Sequence, residues 1–304
     1  MRIAIVGLGA IARKAYLPVV TALPGVDLIF CTRDRAALEQ LSRQYRVSER
    51  ASNVGELLAK RPDVAFVHTA TESHAAVAGE LLRAGIHVYV DKPLAYTYEE
   101  ARRLVDEAER AGRLLLVGFN RRFAPLYAAL KEKPDRRLIF MQKNRPHSPD
   151  VARRVVFDDF IHVIDTLRFL APAEVREVRV TSLQEERRLH HVALELGGGG
   201  FTAFGLMDRD GGANEERLEV SAPGHKWVVR DLNAAVHLSG GEARATGFDD
   251  WEPVLQRRGF VGIIEHFLDC VRGGAAPTPS ARDALETHAL CERIVGEIEA
   301  RAGA

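Results

Sequence analysis

A histidine flanked by carboxylates gives this chain one candidate site for proton transfer. Asp158, His162 and Asp165 are spaced i, i+4 and i+7, so on a helix they share one face. A neutral imidazole can take a proton near pH 7, and a carboxylate can orient that imidazole. The same trio could bind a metal, and Asp158 could instead cap the helix. The spacing alone leaves these alternatives open; together with the motifs below, we predict Asp158 and His162 as catalytic residues and no metal site.

Lys92 is the third catalytic candidate. It stands between Asp91 and Pro93, directly after a predicted strand that ends at Val90. Ligands of open parallel sheets bind beyond the carboxyl ends of the strands, so Lys92 is placed where a substrate or cofactor would lie. A solvated loop lysine fits the same position equally well.

A glycine-rich turn opens the chain, between a short apolar strand and a predicted helix. Its sequence, GLGAIA, is the G-x-G-x-x-A form of the dinucleotide-binding turn. Gly7 permits the tight turn, and Gly9 has no side chain to keep a pyrophosphate from the backbone. Ala12 allows close packing of the helix, whose first N–H groups, at Ala10 and Ile11, are available to phosphates. We predict that all five residues bind a dinucleotide.

The end of the second predicted strand, about twenty residues past the glycines, selects between nicotinamide cofactors. Thr32 and Arg33 stand there, and a hydroxyl beside a guanidinium suits a 2′-phosphate. A carboxylate would instead accept hydrogen bonds from the ribose hydroxyls. Asp34 could do so if the strand were two residues longer, but we expect it to cap the next helix. We predict NADP as the cofactor, with NAD as the alternative.

The first 120 residues alternate between predicted strands and helices. Strands separated by helices of this length indicate a parallel, doubly wound sheet, here a Rossmann domain over residues 1–120. The predicted strands are residues 2–6, 28–31, 64–69, 88–90 and 114–117, and the predicted helices are residues 11–22, 34–45, 73–84 and 98–111.

Beyond residue 120 the predicted strands follow one another with short turns, which indicates a mostly antiparallel open sheet in a second α/β domain, residues 121–304. The four glycines at 197–200 are interpreted as a hairpin turn. The predicted strands are residues 138–143, 175–182, 191–196, 201–207, 217–221 and 226–229, and the predicted helices are residues 158–170, 262–272 and 282–301.

Composition excludes several classes of protein. The chain has 42 basic and 42 acidic side chains, whereas nucleic-acid and anionic-membrane binders carry a basic excess. No apolar run is as long as a membrane span, and the first strand lacks the features of a signal peptide. Three scattered cysteines suggest a reducing compartment. We therefore expect a cytoplasmic protein that binds neither nucleic acid nor membrane.

Together these motifs resemble the glucose–fructose oxidoreductase and inositol dehydrogenase family (Gfo/Idh/MocA) along nearly the whole chain. The turn at residues 7–12 resembles its nucleotide turn, and residues 91–93 (DKP) resemble its E-K-P motif with Asp for Glu. Residues 118–123 (GFNRRF) resemble its crossover into the second domain. Residues 158–165 resemble its D-x-G-x-H-x-x-D helix.

The resemblance implies a role for each catalytic candidate. Lys92 would contact the substrate hydroxyl and the nicotinamide ribose, and the bond from Lys92 to Pro93 would be cis. His162 would exchange the proton, and Asp158 would hold His162 or the substrate. The second domain would bind substrate and serve in oligomerisation, with helix 282–301 able to pack back on the first domain.

Other positions depart from the family pattern or have weaker support. Phe160 replaces the motif's glycine, which would narrow the pocket, and Asp159 offers His162 a second carboxylate partner. By the resemblance His74 would lie near the nicotinamide, although we expect it to be chiefly structural, and it is included with Thr71 among the cofactor-binding residues. Five further side chains are candidate substrate contacts, although we expect each to be solvated surface: Arg121, Arg122, Trp251, Arg257 and Arg258.

The expected activity is hydride transfer between a nicotinamide and a hydroxyl or carbonyl of a sugar, cyclitol or related polyol. A nicotinamide-dependent hydrolase or lyase with transient redox chemistry is one alternative, and a non-catalytic NAD(P)-binding sensor is another. A homodimer or homotetramer is expected, because an open apolar sheet face needs cover.

Overall fold

Residues 1–302, the part of the chain that this computed structural model describes, form two compact units. The first comprises Met1–Phe119 and Phe260–Glu286, and the second comprises Asn120–Gly259 and residues 287–302. Over these 302 residues, no helix combines the length and the hydropathy needed to cross a bilayer.

A six-stranded parallel sheet lies at the centre of the first unit. Its order, β3-β2-β1-β4-β5-β6, is that of a Rossmann fold and confirms the predicted doubly wound sheet. The inner strands are fully buried, as the apolar runs at residues 3–6 and 64–67 predict. The strands are β1 (Arg2–Val6), β2 (Asp27–Cys31), β3 (Glu49–Ala51), β4 (Val64–Val67), β5 (His87–Val90) and β6 (Leu115–Val117).

Capping residues explain several helix boundaries in this unit. Asp34 caps a helix by accepting a hydrogen bond from the Ala37 N–H at 3.0 Å, and Thr97 caps another by accepting from the Glu100 N–H at 3.2 Å. Gly112 ends the latter helix in the left-handed conformation. The helices are Arg35–Tyr45, Val54–Ala59, Thr71–Arg83, Tyr98–Ala111, Phe260–Gly273 and the start of Ala281–Ala302.

The helix after the glycine turn differs from the prediction. It covers residues 10–20, with a π-helical segment at Ala12–Tyr16, and stops two residues before the predicted end. Pro18 follows this segment and has no N–H to donate to the carbonyl four residues earlier, which disfavours a regular α-helix there. Strand β3 and the helix Val54–Ala59 escaped prediction because both are too short for periodicity to register.

An eight-stranded sheet organises the second unit, in the order β14-β13-β12-β11-β7-β10-β9-β8. All of its described neighbours pair antiparallel except β7 and β10, which confirms the predicted mostly antiparallel sheet. Gly198 pairs with Phe201 in the β9–β10 hairpin, so the glycine run is a hairpin turn as predicted. The strands are β7 (Leu138–Asn144), β8 (Val175–Glu185), β9 (Arg188–Gly198), β10 (Phe201–Asp208), β11 (Glu215–Ala222), β12 (His225–Arg230), β13 (Ala234–Ser239) and β14 (Glu242–Gly247).

One long helix, residues 152–170, packs on this sheet. A Cβ on Gly205 of β10 would lie 2.7 Å from Val163 Cγ1 and 3.0 Å from Leu167 Cδ1, so helix and sheet approach closely at this glycine. The helix is π-helical over Val155–Phe160 and begins six residues before Asp158. The interpretation of Asp158 as a helix cap is therefore wrong.

Shorter helices complete the second unit: Asn120–Phe123, Pro125–Lys131 and Val254–Arg257.

Candidate functional site

A cleft of about 970 Å³ opens in the first unit at the carboxyl ends of β1 to β4. Its walls come from the glycine turn, the residues after β2, the loop after β3 and the residues after β4. This is the edge at which doubly wound sheets bind ligands, and the volume suits an organic cofactor. Predicted cofactor residues that line the cleft are Gly7, Gly9, Thr32 and Arg33.

The two glycines of the turn serve different purposes. Gly7 has a φ of +90°, and a Cβ on it would lie 2.7 Å from backbone atoms of His68 and Thr69, so a side chain there would block the approach of the turn to β4. A Cβ on Gly9 would meet no described atom within 4 Å. The backbone at Gly9 is therefore open to a ligand, as a pyrophosphate requires, and the cleft fits a dinucleotide.

The other predicted residues of the turn support the helix. Ala12 is fully buried, which agrees with its predicted role in close packing. The first backbone bond of the helix runs from the Arg13 N–H to the Gly9 carbonyl at 3.1 Å, so the N–H groups of Ala10 and Ile11 come before it. These N–H groups belong to the helix N-terminus, where anions bind favourably.

The end of β2 lies where the sequence places it. Cys31 is the last residue of the strand, so Thr32 and Arg33 follow directly and line the cleft. The Asp34 carboxylate accepts the Ala37 N–H as the helix cap, which confirms the expectation for this residue.

Thr71 and His74 are on the helix that follows β4. Thr71 is the first residue of that helix. The His74 ring is buried, with Nδ1 2.7 Å from the carbonyl oxygen of Pro93 and Nε2 3.0 Å from that of Thr69. His74 thus joins the loop after β4 to the loop after β5, in agreement with a structural role.

Lys92 lies at the carboxyl end of β5, and its backbone is fixed by its neighbours. The bond from Lys92 to Pro93 is cis, as predicted. The Asp91 carboxylate accepts the Lys92 N–H at 2.9 Å. Burial raises the pKa of Asp91, while the positive charges of Lys92 and His74 oppose that rise.

Two tyrosines extend this arrangement into the core. The Tyr16 hydroxyl lies 3.0 Å from the Tyr89 hydroxyl and donates to Asp91 Oδ1 at 3.3 Å. Burial, with the charge of Asp91, raises the pKa of both tyrosines well above the ordinary value, so both hydroxyls keep their protons. Gly118 makes room for the cluster, because a Cβ on it would lie 2.8 Å from the Tyr89 hydroxyl and 3.1 Å from that of Tyr16.

In the second unit, the helix 152–170 carries the predicted proton-transfer residues. Asp158 is partly buried within the π-helical segment, and His162 is 8% exposed in the α-helical part. The carbonyl of His162 accepts the Thr166 hydroxyl at 2.7 Å.

Asp165 has a structural role. Its carboxylate accepts two hydrogen bonds from Arg122, at 2.7 and 2.9 Å, and a third from the Thr287 hydroxyl at 3.0 Å. A buried carboxylate with these partners holds elements of the second unit together. Within residues 1–302, no group of three or more His, Cys, Asp and Glu side chains could hold a metal ion.

Phe160 does not narrow a pocket, contrary to the prediction. Its ring is fully buried and would lie 3.6 Å from a Cβ on Gly205, so it packs on the sheet. Arg121 and Arg122 were expected at the surface, but Arg121 is buried, Arg122 is partly buried, and both form ion pairs. Of the remaining surface candidates, Trp251 is exposed.

A cluster of buried charges beside the same helix was not predicted from the sequence. Arg121 donates two hydrogen bonds to Glu216, at 2.6 and 2.8 Å, and Lys143 Nζ lies 3.8 Å from Glu216 and 3.9 Å from Asp159. The alternation along β7 could have indicated it, because Lys143 shares the buried face with Ile139 and Met141.

Comparison with known proteins identifies the chain. Residues 1–119 match the Gfo/Idh/MocA description "oxidoreductase family, NAD-binding Rossmann fold", and residues 125–238 match a "YceM-like, C-terminal domain". A Salmonella typhimurium protein named as the oxidoreductase YceM is 36% identical over 97% of this chain and 96% of its own. The chain belongs to the Gfo/Idh/MocA family. It is therefore an oxidoreductase of the dehydrogenase type with an NAD-binding Rossmann fold.

Two solved structures agree with this chain in fold over nearly its whole length. A family oxidoreductase from Vibrio cholerae has a TM-score of 0.94 at 30% identity and covers 100% of both chains. A dehydrogenase from Clostridium difficile has a TM-score of 0.94 at 31% identity, over 98% of this chain and 99% of its own. Among curated relatives, scyllo-inositol 2-dehydrogenase (NAD(+)) of Bacillus subtilis is 26% identical over 93% of this chain and 90% of its own.

Proposed function

We propose that this protein transfers a hydride between NADP and a hydroxyl or carbonyl of a sugar, cyclitol or related polyol. The observation that carries the proposal is the position of Lys92 at the carboxyl end of β5, in the same sheet that forms the dinucleotide cleft. Relatives named as inositol dehydrogenases, from Bacillus subtilis and Agrobacterium fabrum, support a substrate of this class.

Each catalytic candidate has a task that its chemistry suits. When bound, the nicotinamide supplies the hydride acceptor or donor. The Lys92 ammonium donates a hydrogen bond to the substrate oxygen and lowers the cost of negative charge there. His162 accepts the proton of the hydroxyl, and Asp158 orients the imidazole.

Replacing Lys92 tests the catalytic proposal. Lys92→Ala should lower kcat/KM for the best polyol found in a substrate screen by about 100-fold or more, because the charge near the reacting oxygen is lost. Formation of reduced cofactor, followed at 340 nm, measures the rate, with Lys60→Ala as a control lysine of the same unit. Near-wild-type hydride transfer by Lys92→Ala would overturn the assignment. Turnover without release of reduced cofactor would favour the transient-redox alternative.

The choice of NADP rests on Thr32 and Arg33, which follow β2 and line the cleft. Arg33→Ala should weaken NADPH binding about 10- to 100-fold, because a guanidinium–phosphate hydrogen bond is lost. NADH binding should change little. Fluorescence titration measures both, with Arg43→Ala on the following helix as the control. Equal loss for the two cofactors would argue against recognition of a 2′-phosphate by Arg33.

Assembly as a homodimer or homotetramer and a cytoplasmic location stay predictions. Light scattering on the purified protein measures the first, and fractionation of the native host measures the second.

A further inference from the structure

Lys143 lies on the buried face of β7. Ile139, Met141 and Lys143 alternate onto the face that the helices cover, and Lys143 is only 4% exposed. Removing an ammonium group from water is costly unless it has close anionic partners. Its nearest carboxylates, of Glu216 and Asp159, lie 3.8 and 3.9 Å from Nζ, beyond hydrogen-bond distance.

Both carboxylates already have closer cationic partners. Glu216 accepts two hydrogen bonds from Arg121 and a third from the Tyr127 hydroxyl at 3.2 Å. Asp159 accepts hydrogen bonds from Arg145, at 3.1 Å, and from Arg209. Two carboxylates are therefore the ion-pair partners of four cationic side chains, and the ion-pair distances of Lys143 are the longest of the four.

A fifth cation borders the same place. Arg258 is partly buried, and no carboxylate within residues 1–302 lies within 4 Å of its guanidinium. Its backbone is held in place, because Asn120 Nδ2 donates to the Arg258 carbonyl at 2.8 Å. Burial, together with the charge of Arg121, lowers the pKa of Arg258, and the same two causes lower the pKa of Lys143 to about 8. The charge of Arg121 therefore disfavours a positive charge on either group.

Lys143, Arg145 and Arg258 line a cavity of about 130 Å³ at the end of β7. At about 30 Å³ for each water molecule, this holds about four waters, or one small oxyanion with part of its carbon chain. Two acids also border the cavity: Asp231 accepts the Glu216 N–H at 3.0 Å, and Glu215 is exposed. The cavity combines two incompletely paired cations with the amides of Asn144 and Asn214.

We propose that Lys143, Arg145 and Arg258 form a subsite for an oxyanion, so that the polyol substrate carries a carboxylate or phosphate group. The inference rests on the proposed function for the reacting hydroxyl. Asp159, which contacts Lys143 and Arg145, is three residues before His162 on one helix. The anionic group thus binds beside the helix that carries the predicted proton acceptor, and it would position the substrate hydroxyl.

Matched pairs of substrates test the subsite. Neutral sugars and cyclitols are compared with their aldonic or uronic acids and with their phosphate esters, and kcat/KM is measured for each. The wild-type protein should prefer one anionic class. In Arg258→Met that preference should fall about 10- to 100-fold, which is typical of one lost hydrogen bond to a charged group. Arg244→Met, at an exposed position on β14, is the control and should retain the preference.

A binding measurement separates failure of the subsite from failure of the proposed function. Inorganic phosphate and acetate are titrated calorimetrically into the wild-type protein and Arg258→Met, with no turnover required. Binding that Arg258→Met loses supports the subsite even if no polyol is oxidised. Oxidation of neutral and anionic polyols at equal kcat/KM, with no anion binding, would overturn the subsite and leave the proposed function intact. Arg258→Met that folds normally and keeps the anionic preference would also overturn it.

Discussion

Buried hydroxyl and carboxyl groups fix the backbone of Lys92, the lysine that we propose as catalytic. Asp91 accepts the Lys92 N–H and is contacted by Tyr16, whose hydroxyl lies beside that of Tyr89. Gly118 leaves the space that these groups occupy. Gly118 therefore helps to fix the backbone of Lys92, although it is on a different strand end.

Gly118→Ala should destabilise the protein by about 1 to 3 kcal/mol, because its methyl group must displace buried hydroxyls 2.8 and 3.1 Å away. It should also lower kcat, since Asp91 would no longer hold Lys92 in place. Urea unfolding measures the stability. The control is Gly296→Ala in an exposed helical position with open space around it, which should stabilise by up to about 1 kcal/mol. A Gly118→Ala protein as stable as the wild type would contradict the prediction, because it would mean that the two hydroxyls move aside without loss of stability.

At the scale of elements, the helix 152–170 and strand β10 fit each other through one glycine. Gly205 allows the close approach of Val163 and Leu167, and Phe160 packs at the same place. The π-helical segment carries Asp158 and ends two residues before His162, and such segments occur frequently at functional sites.

Gly205→Ala should destabilise by about 1 to 3 kcal/mol, because its Cβ would lie 2.7 Å from Val163 Cγ1. Val163→Ala should destabilise as well, through the cavity it leaves. The double variant should lose about 0.5 kcal/mol or more less unfolding free energy than the sum of the two single losses, because the smaller residue at 163 makes room for the added methyl group. Thermal or urea unfolding of all four proteins completes the cycle, and strict additivity would contradict the proposed packing contact.

At the scale of the whole molecule, acid should destabilise the fold through two buried groups. Burial lowers the pKa of His68 to about 3, from an ordinary 6.5. Burial acts to raise the pKa of Glu216, but Arg121 and Lys143 outweigh it and hold that pKa at about 2, against an ordinary 4.5. In both cases the unfolded chain takes up a proton at a pH where the folded protein does not, so stability is lost as the pH falls.

The unfolding free energy should therefore decrease as the pH falls from about 6.5 toward 3, by on the order of a few kcal/mol at about 1.4 kcal/mol for each pKa unit. His68→Phe keeps a ring to pack against that of Tyr16, whose centroid is 3.8 Å away, and should flatten the decrease between about pH 6.5 and 4. Denaturant unfolding at several pH values measures this, with the exposed His191→Phe as the control. An unchanged slope in His68→Phe would contradict the prediction.

The sequence by itself determined the Rossmann sheet, the antiparallel second sheet and the positions of individual caps. These depend on local signals: apolar runs, helix-length spacing, and residues such as Asp34 and Gly112 whose conformations mark a boundary. The end of β2 at Cys31 was also predicted from local signals, and with it the position of Thr32 and Arg33 at the cleft.

Only the tertiary structure decided which charged side chains are buried and with whom. Arg121 and Glu216 are 95 positions apart, and Arg122 and Asp165 are 43 apart, yet each pair forms a two-fold hydrogen-bonded ion pair. No local pattern distinguishes such an arginine from a solvated one, because the cost of burying it is met by a partner that folding brings from elsewhere in the chain. The same reason kept Lys143 and its cavity hidden until β7, β11 and the helix 152–170 were assembled.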